Sequence, residues 1–175
     1  MELYDVILKR RSIRSYSAEE IPEEKLSRIV EAGLLAPTSR NRKPCEFYVI
    51  KDKAMLKSLS EVKPAGGAML KGCSAAIAVM GDSDKADTWI EDSSIALCYM
   101  QLMATDLGVG SCWCQIRLRG SHDGPDAESC VRGLISAPDN YRIVGILALG
   151  MPENELEPHS PGDADWSKVH YIPAE

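Results

Sequence analysis

Histidine is scarce in this chain of 175 residues, and the common patterns of catalytic or metal-ligating side chains are missing. The three histidines, His122, His159 and His170, lie in polar or terminal segments without the spacing of metal ligands. The sequence contains no G-x-S-x-G, Walker A or H-E-x-x-H motif, and no G-x-G-x-x-G follows a predicted strand. We therefore predict no catalytic side chain and no metal site.

Positive charge and long apolar runs are also in short supply. Lysine and arginine number 20 against 26 acidic residues, a net charge of −6 that argues against general nucleic-acid binding. The longest strongly apolar stretch, Ile95 to Ala104, is too short to cross a membrane and is interrupted by Gln101. The first residues, MELYDVILKRR, lack the apolar region of a signal peptide. We expect a cytoplasmic protein with neither a membrane nor a nucleic-acid partner.

The six cysteines form no C-x-x-C pair, and four of them lie inside apolar runs. Free cysteine in such runs behaves as a small hydrophobic residue. Cys112 and Cys114 would share one face of a strand, and their spacing is poor for a zinc knuckle. We interpret the cysteines as reduced structural thiols, and a redox or metal role stays the alternative.

Helical and strand patterns alternate along the chain. Ser17 and Glu20 have the spacing of a capping box before the second helix. Residues 64–71 are ambiguous between a loop and a short helix, and no second domain is evident. Leu3, Val6 and Ile7 predict a short first helix that ends near the arginines, and the second helix has Pro22 in its first turn and ends around Ala36. We predict further helices near residues 54–60, 88–107 and 127–135, and strands near 47–50, 75–80, 111–117 and 142–149.

The helix predicted at 88–107 is apolar nearly all round in its second half, IALCYMQLMA. A helix of this kind is buried on several sides, so it is either central or pressed against a second subunit. Residues from about 151 to 175 contain few core residues and cannot fold alone. We predict one domain over residues 1–175 whose tail crosses to a partner subunit, with Val169–Ile172 as an added edge strand.

Donors to anions are concentrated in the run Arg10-Arg11-Ser12-Ile13-Arg14, at the end of the first predicted helix. Guanidinium groups donate paired hydrogen bonds to phosphate oxygens, and a serine hydroxyl adds another. The run therefore predicts a phosphate site. A solvated helix end, favoured by the helix dipole, is the alternative.

A second group of donors, Pro37-Thr38-Ser39-Arg40-Asn41, follows the second predicted helix. The asparagine side chain offers both a donor and an acceptor, as the edge of a pyrimidine-like ring requires. The alternative interpretation is a simple connecting loop.

The order of these motifs resembles the nitroreductase family of flavoproteins. The resemblance rests on RRSIR near the N-terminus, APTSRNRKPCEF after the second helix, LGVGSCW after the long helix and ILALGMP at the last strand. It implies an α+β fold with a mostly antiparallel central sheet surrounded by helices. It also implies a homodimer with two FMN sites at the subunit interface and a C-terminal tail that embraces the partner.

The resemblance also assigns roles to particular residues. It places Arg10, Ser12 and Arg14 at the FMN phosphate and ribityl chain, with Arg11 beside them. It places Asn41 at the flavin pyrimidine ring, and Ser39 in the loop that reaches the cofactor of the other subunit. Many relatives carry a tail cation at the phosphate, whereas the stretch SPGDADWSK is acidic here and leaves Lys168 as the nearby cation. Backbone groups of Gln115 and Ile116 fall near the redox-active part of the flavin.

The activity implied by the resemblance is that of an FMN-dependent oxidoreductase. NADH or NADPH would reduce the flavin, and an electron-poor acceptor such as a nitroaromatic or a quinone would then be reduced. Such an exchange needs no nucleophilic side chain, because the cofactor carries the hydride chemistry. The alternative, suggested by the acidic tail and the short chain, is a flavin-binding or regulatory homodimer without efficient turnover.

Overall fold

A four-stranded antiparallel sheet forms the centre of the protein. The computed structural model describes residues 1–172. The strands are β1 (Cys45–Ile50), β2 (Ala75–Asp82), β3 (Gly110–Gln115) and β4 (Tyr141–Gly150), in the order β1-β2-β4-β3. The central strands β2 and β4 are buried over most of their length, as their continuous apolar runs predict. The predicted α+β class with an antiparallel sheet is confirmed.

Helices cover both faces of the sheet. Leu56 and Val131 belong to the core on the face covered by α3 and α5, and Ile29 and Leu97 belong to the core on the opposite face, covered by α2 and α4. The ambiguous segment at 64–71 ends in a short 3₁₀ turn, Ala68–Gly72. The α-helices are α1 (Leu3–Lys9), α2 (Glu23–Leu34), α3 (Lys53–Glu61), α4 (Trp89–Asp106) and α5 (Ala127–Leu134).

The predicted capping box at Ser17 and Glu20 is wrong. Helix α2 begins at Glu23, directly after Pro22, so both residues precede its first turn. The hydroxyl of Ser17 instead accepts from the N–H of Glu19. The carboxylate of Glu20 accepts from Ser74 Oγ at 2.8 Å, which links the segment before α2 to the start of β2.

Strand β3 ends earlier than the sequence pattern predicts. The N–H groups of Ile116 and Arg117 both donate to Val144 O, which breaks the regular register after Gln115. Leu118 then adopts a left-handed backbone conformation with φ 57°. The chain therefore turns away from the sheet at this point and directs residues 117–119 toward the surface.

The C-terminal segment leaves the sheet after β4. Tyr16 and Pro152 form one antiparallel bridge, and the chain then runs to two 3₁₀ turns, Pro161–Asp163 and Trp166–Lys168. Tyr171 and Ile172 are 81% and 89% exposed. Within the single chain, residues 169–172 belong to no strand. An added edge strand thus needs a second subunit and stays a prediction. None of the helices in residues 1–172 is long and apolar enough to cross a membrane.

Candidate functional site

The arginine run lies in extended conformation beside the start of β3. Helix α1 ends at Lys9, and its C-cap, Arg10, already has extended backbone angles of φ −60° and ψ 117°. Ser12 forms a parallel bridge with Ser111, and the N–H of Ile13 donates to Ser111 O at 2.9 Å. The end of a helix and a contact with the sheet edge together hold this run in place.

Side chains of an extended segment alternate between its two sides. Arg10, Ser12 and Arg14 therefore share one side, whereas Arg11 and Ile13 share the other. The guanidinium of Arg11 donates to the carbonyl oxygen of Glu157, and Arg11 and Ile13 line a cavity of about 430 Å³ beneath the C-terminal segment. Within one chain Arg11 therefore points away from the other three donors, and its place beside the FMN phosphate stays a prediction.

Arg14 lines a different cavity, of about 670 Å³. Its wall includes two further cations, Lys63 and Arg119, and contains no Asp or Glu among the described residues. A concave surface with three positive charges is unusual in a chain of net charge −6, and it favours an anionic ligand. The remaining lining residues are Ala65, Gly66, Ala68, Met69, Cys112, Trp113 and Gln115.

Lys63 is a residue that the sequence analysis missed. Its side chain is buried, at 9% exposure, and its Nζ donates to Gln115 O at 2.7 Å. Within residues 1–172 no carboxylate lies in ion-pair distance of Nζ. A buried ammonium group without a counter-ion is costly and commonly marks a ligand site. The available signal was a lysine directly before the glycine-containing loop PAGG.

Gln115 lies in the cavity wall, and hydrogen bonds hold both the oxygen and the nitrogen of its side-chain amide. Its Oε1 accepts from Trp113 Nε1 at 3.0 Å, and its Nε2 donates to Arg117 O at 3.0 Å. Ile116, in contrast, is 1% exposed and its N–H is occupied by Val144 O at 3.2 Å. Gln115 therefore lines the cavity and Ile116 does not, and the approach of their backbone groups to the flavin stays a prediction.

The thiol of Cys112 lies in the cavity wall, where burial and nearby positive charges act on its pKa in opposite directions. Burial raises the pKa of Cys112, and the positive charges of Arg14, Arg10 and Lys63 partly offset this rise. Arg14 and Lys63 line the cavity together with Cys112, whereas Arg10 is not among the lining residues. Burial likewise raises the pKa of Cys114. Both thiols stay protonated at neutral pH, which agrees with their interpretation as structural residues.

Ser39 and Asn41 lie apart from this cavity within one chain. They form a 3₁₀ turn in which Arg40 and Asn41 have φ values of 51° and 53°. This left-handed backbone is uncommon for residues other than glycine and presents Asn41 to solvent. Lys168 is not among the residues that line this cavity either; it lies in the exposed tail and pairs with Asp165 at 3.5 Å.

Asp92 anchors the turn that carries Ser39 and Asn41. Its carboxylate is 2% exposed, accepts from the N–H of Ser39 at 2.9 Å and accepts from the hydroxyl of Thr88 at 3.2 Å. The buried carboxylate therefore links the start of α4 to the turn.

We expect Asp92→Ala to lower the free energy of unfolding by about 1–2 kcal/mol, because it leaves the Ser39 donor without its acceptor. Asp92→Asn keeps an acceptor oxygen, so it should lower the free energy of unfolding by less than half as much as Asp92→Ala. Urea unfolding of the two variants measures the difference. An equal loss in both variants would contradict the anchoring role.

Comparison with known proteins bears directly on this arrangement. The family model described as "Nitroreductase family" matches residues 7–151. A protein of Archaeoglobus fulgidus, provisionally named an NADH dehydrogenase/NAD(P)H nitroreductase, is 34% identical over 166 residues, covering 93% of this chain and 92% of its own. The chain belongs to the nitroreductase family. The match includes the arginine run, the Ser39–Asn41 turn and the residues lining the Arg14 cavity, and it ends before Lys168.

Solved structures agree with this nitroreductase fold. An FMN-dependent nitroreductase from Clostridium difficile R20291 is 40% identical, with a TM-score of 0.94 and coverage of 98% of this chain and 99% of its own. The NADPH:FMN oxidoreductase from Vibrio harveyi complexed with NAD⁺ has a TM-score of 0.82 at 21% identity, covering 99% of this chain and 78% of its own. At that lower identity the likeness concerns the fold alone.

Proposed function

We propose that this nitroreductase is an FMN-dependent oxidoreductase that uses NADH or NADPH to reduce an electron-poor acceptor such as a nitroaromatic or a quinone. The observation that carries the proposal is a cavity whose wall contains Arg14 and the buried Lys63 and no acidic residue among the described ones. The 40% identical relative from C. difficile is itself FMN-dependent, which supports the same cofactor here.

The residues of the cavity wall fit the chemistry of FMN. Arg14 lines the cavity, and Arg10 and Ser12 lie on the same side of its extended segment. The three residues would offer two guanidinium groups and a hydroxyl to the phosphate. Lys63 is buried without a counter-ion in the described part of the chain, so an anionic or electron-rich ring would supply the missing partner. The cavity is also large enough, at about 670 Å³, for part of a cofactor of this size.

FMN, when bound, would supply the hydride chemistry that no side chain of this protein provides. The protein would contribute binding, orientation and charge. Lys63 would stabilise negative charge that develops in the cavity, because its Nζ is already held by Gln115 O and needs little reorganisation. Arg14 would add a second positive charge. The paired side chain of Gln115 would keep β3 rigid at the cavity wall.

We also propose a homodimer of one-domain subunits, in which residues from about 151 onward embrace the partner. Ile95 and Tyr99 of α4 are 37% and 43% exposed, and Trp166 in the tail is 69% exposed. Exposed apolar side chains on two elements favour a contact with a second subunit. Since Ser39 and Asn41 lie away from the cavity of their own chain, a partner's cavity is where they would contact FMN. Light scattering on the purified protein tests the dimer.

The absorbance spectrum of the purified protein tests the proposed function. We expect a yellow protein, or one that takes up added FMN, and we expect NADH or NADPH to bleach it in the absence of oxygen. A colourless protein that takes up no FMN would contradict the proposal. A yellow protein that neither NADH nor NADPH bleaches would favour the flavin-binding or regulatory homodimer instead.

A further inference from the structure

Arg119 is a cation of the cavity rim whose charge is not balanced by the described part of the chain. Its side chain is exposed, and the one hydrogen bond of its guanidinium is a local contact from Nη1 to Leu118 O at 3.3 Å. No carboxylate within residues 1–172 forms an ion pair with it. The guanidinium is therefore available to an external anion at the opening of the cavity.

The backbone that carries Arg119 is well fixed, although the side chain is free. The N–H of Arg119 donates to Ile116 O at 3.1 Å, and its carbonyl accepts from Ala127 N at 2.9 Å. Arg117, two residues earlier, instead lies over the ring of Trp89 at 5.9 Å and does not line the cavity. In the turn at 116–119, Arg117 therefore packs against Trp89, whereas Arg119 lines the cavity.

Arg119 also stands apart from the cations that we assign to FMN. Arg119 lines the same cavity as Arg14 and Lys63, but it is carried by the turn that follows β3 and not by the arginine run or by the loop that follows α3. With the phosphate assigned to the Arg10–Arg14 run, this guanidinium is free to bind a second anionic group.

We propose that Arg119 binds an anionic group of the oxidising substrate, so that the protein prefers acceptors in which a carboxylate is attached to an apolar ring. This inference rests on the proposed oxidoreductase function. Met69 and Trp113 in the cavity wall supply apolar contacts for such a ring. A guanidinium pairs well with a carboxylate because it can donate two parallel hydrogen bonds.

Calorimetric binding of benzoate and of its neutral analogue benzamide to the FMN-loaded protein tests the proposal. We expect benzoate to bind more tightly than benzamide. Arg119→Gln should weaken benzoate binding roughly 5- to 20-fold and leave benzamide unchanged, since it removes one partly screened charge-assisted contact. Lys71→Gln is the matched control, because it removes an exposed positive charge that does not line the cavity. It should change neither ligand's binding.

Turnover gives a second readout with 4-nitrobenzoate and 4-nitrobenzamide. Arg119→Gln should raise KM for the acid with little change in kcat, and it should leave both constants for the amide unchanged. Loss of FMN affinity in this variant, or a higher KM for NADPH relative to NADH with benzoate binding unaffected, would overturn the proposal and assign Arg119 to a phosphate. Equal binding of benzoate and benzamide would also overturn it.

The wild-type protein separates failure of this proposal from failure of the proposed function. If the protein takes up FMN and is bleached by NADH or NADPH but binds benzoate and benzamide equally, the proposed function stands. The proposed role of Arg119 is then wrong. A protein that takes up no FMN contradicts both.

Discussion

Replacing Arg10 and Arg14 together by alanine should weaken FMN binding by roughly 3–6 kcal/mol, because each lost charge-assisted hydrogen bond contributes about 1.5–3 kcal/mol. Each single substitution should account for about half of the loss. Both side chains lie on the same side of the extended run that pairs with β3 at Ser12, and Arg14 lines the cavity. Quenching of FMN fluorescence on titration with the FMN-free protein measures the dissociation constants.

Arg11→Ala is the matched control for this prediction. It removes the same charge from the same segment, but Arg11 faces the other cavity and contacts Glu157 O. We expect its effect on FMN affinity to be a small fraction of that of Arg14→Ala. If Arg11→Ala weakens FMN binding as much as Arg14→Ala does, then the net charge of the run determines the FMN affinity. In that case the alternating directions of the side chains in the run do not explain it.

Lys63→Met should separate cofactor binding from stability. We expect it to weaken FMN binding by about 1.5–3 kcal/mol, because the buried cation of the cavity is lost. The FMN-free protein should unfold at the same or a higher temperature, since methionine removes the cost of burying an ammonium group without a carboxylate partner. Fluorescence titration and thermal unfolding of the FMN-free protein measure the two effects.

Lys57→Met is a suitable control, because Lys57 is exposed on α3 and lies outside the cavity lining. It should leave FMN affinity unchanged. A Lys63→Met protein that loses stability as well as affinity would show that Lys63 supports the fold through its hydrogen bond to Gln115 O. Unchanged FMN affinity would remove Lys63 from the proposed site.

The elements of this fold were largely predictable because their signals are local. Apolar runs such as Ala75–Met80 predicted buried strands, and the long helix was recognised from its apolar second half. The end of β3 was misjudged at Ile116 because its N–H bonds to Val144, a residue distant in sequence. The capping box failed for the same reason, since Ser74 provides a partner for Glu20 that no local pattern reveals.

The site was only partly predictable. Arginines and a serine in one short run indicate an anion site. Arg11 and Arg14 nevertheless line two different cavities, and this depends on the pairing of Ser12 with Ser111. Lys63 showed no local pattern of a binding residue, and its role follows from burial and from its bond to Gln115. Both observations need contacts between segments that are far apart in the chain.

The sequence by itself determined the types of elements, the concentration of anion donors at Arg10–Arg14 and the resemblance to the nitroreductase family, because all three depend on residue identity and local spacing. The tertiary structure decided which donors share a cavity. It separated Arg11 from Arg14, and it joined Lys63 and Arg119 to Arg14. The physical reason is that a binding site is made by packing distant segments against one another, and side-chain direction is set only when those segments meet.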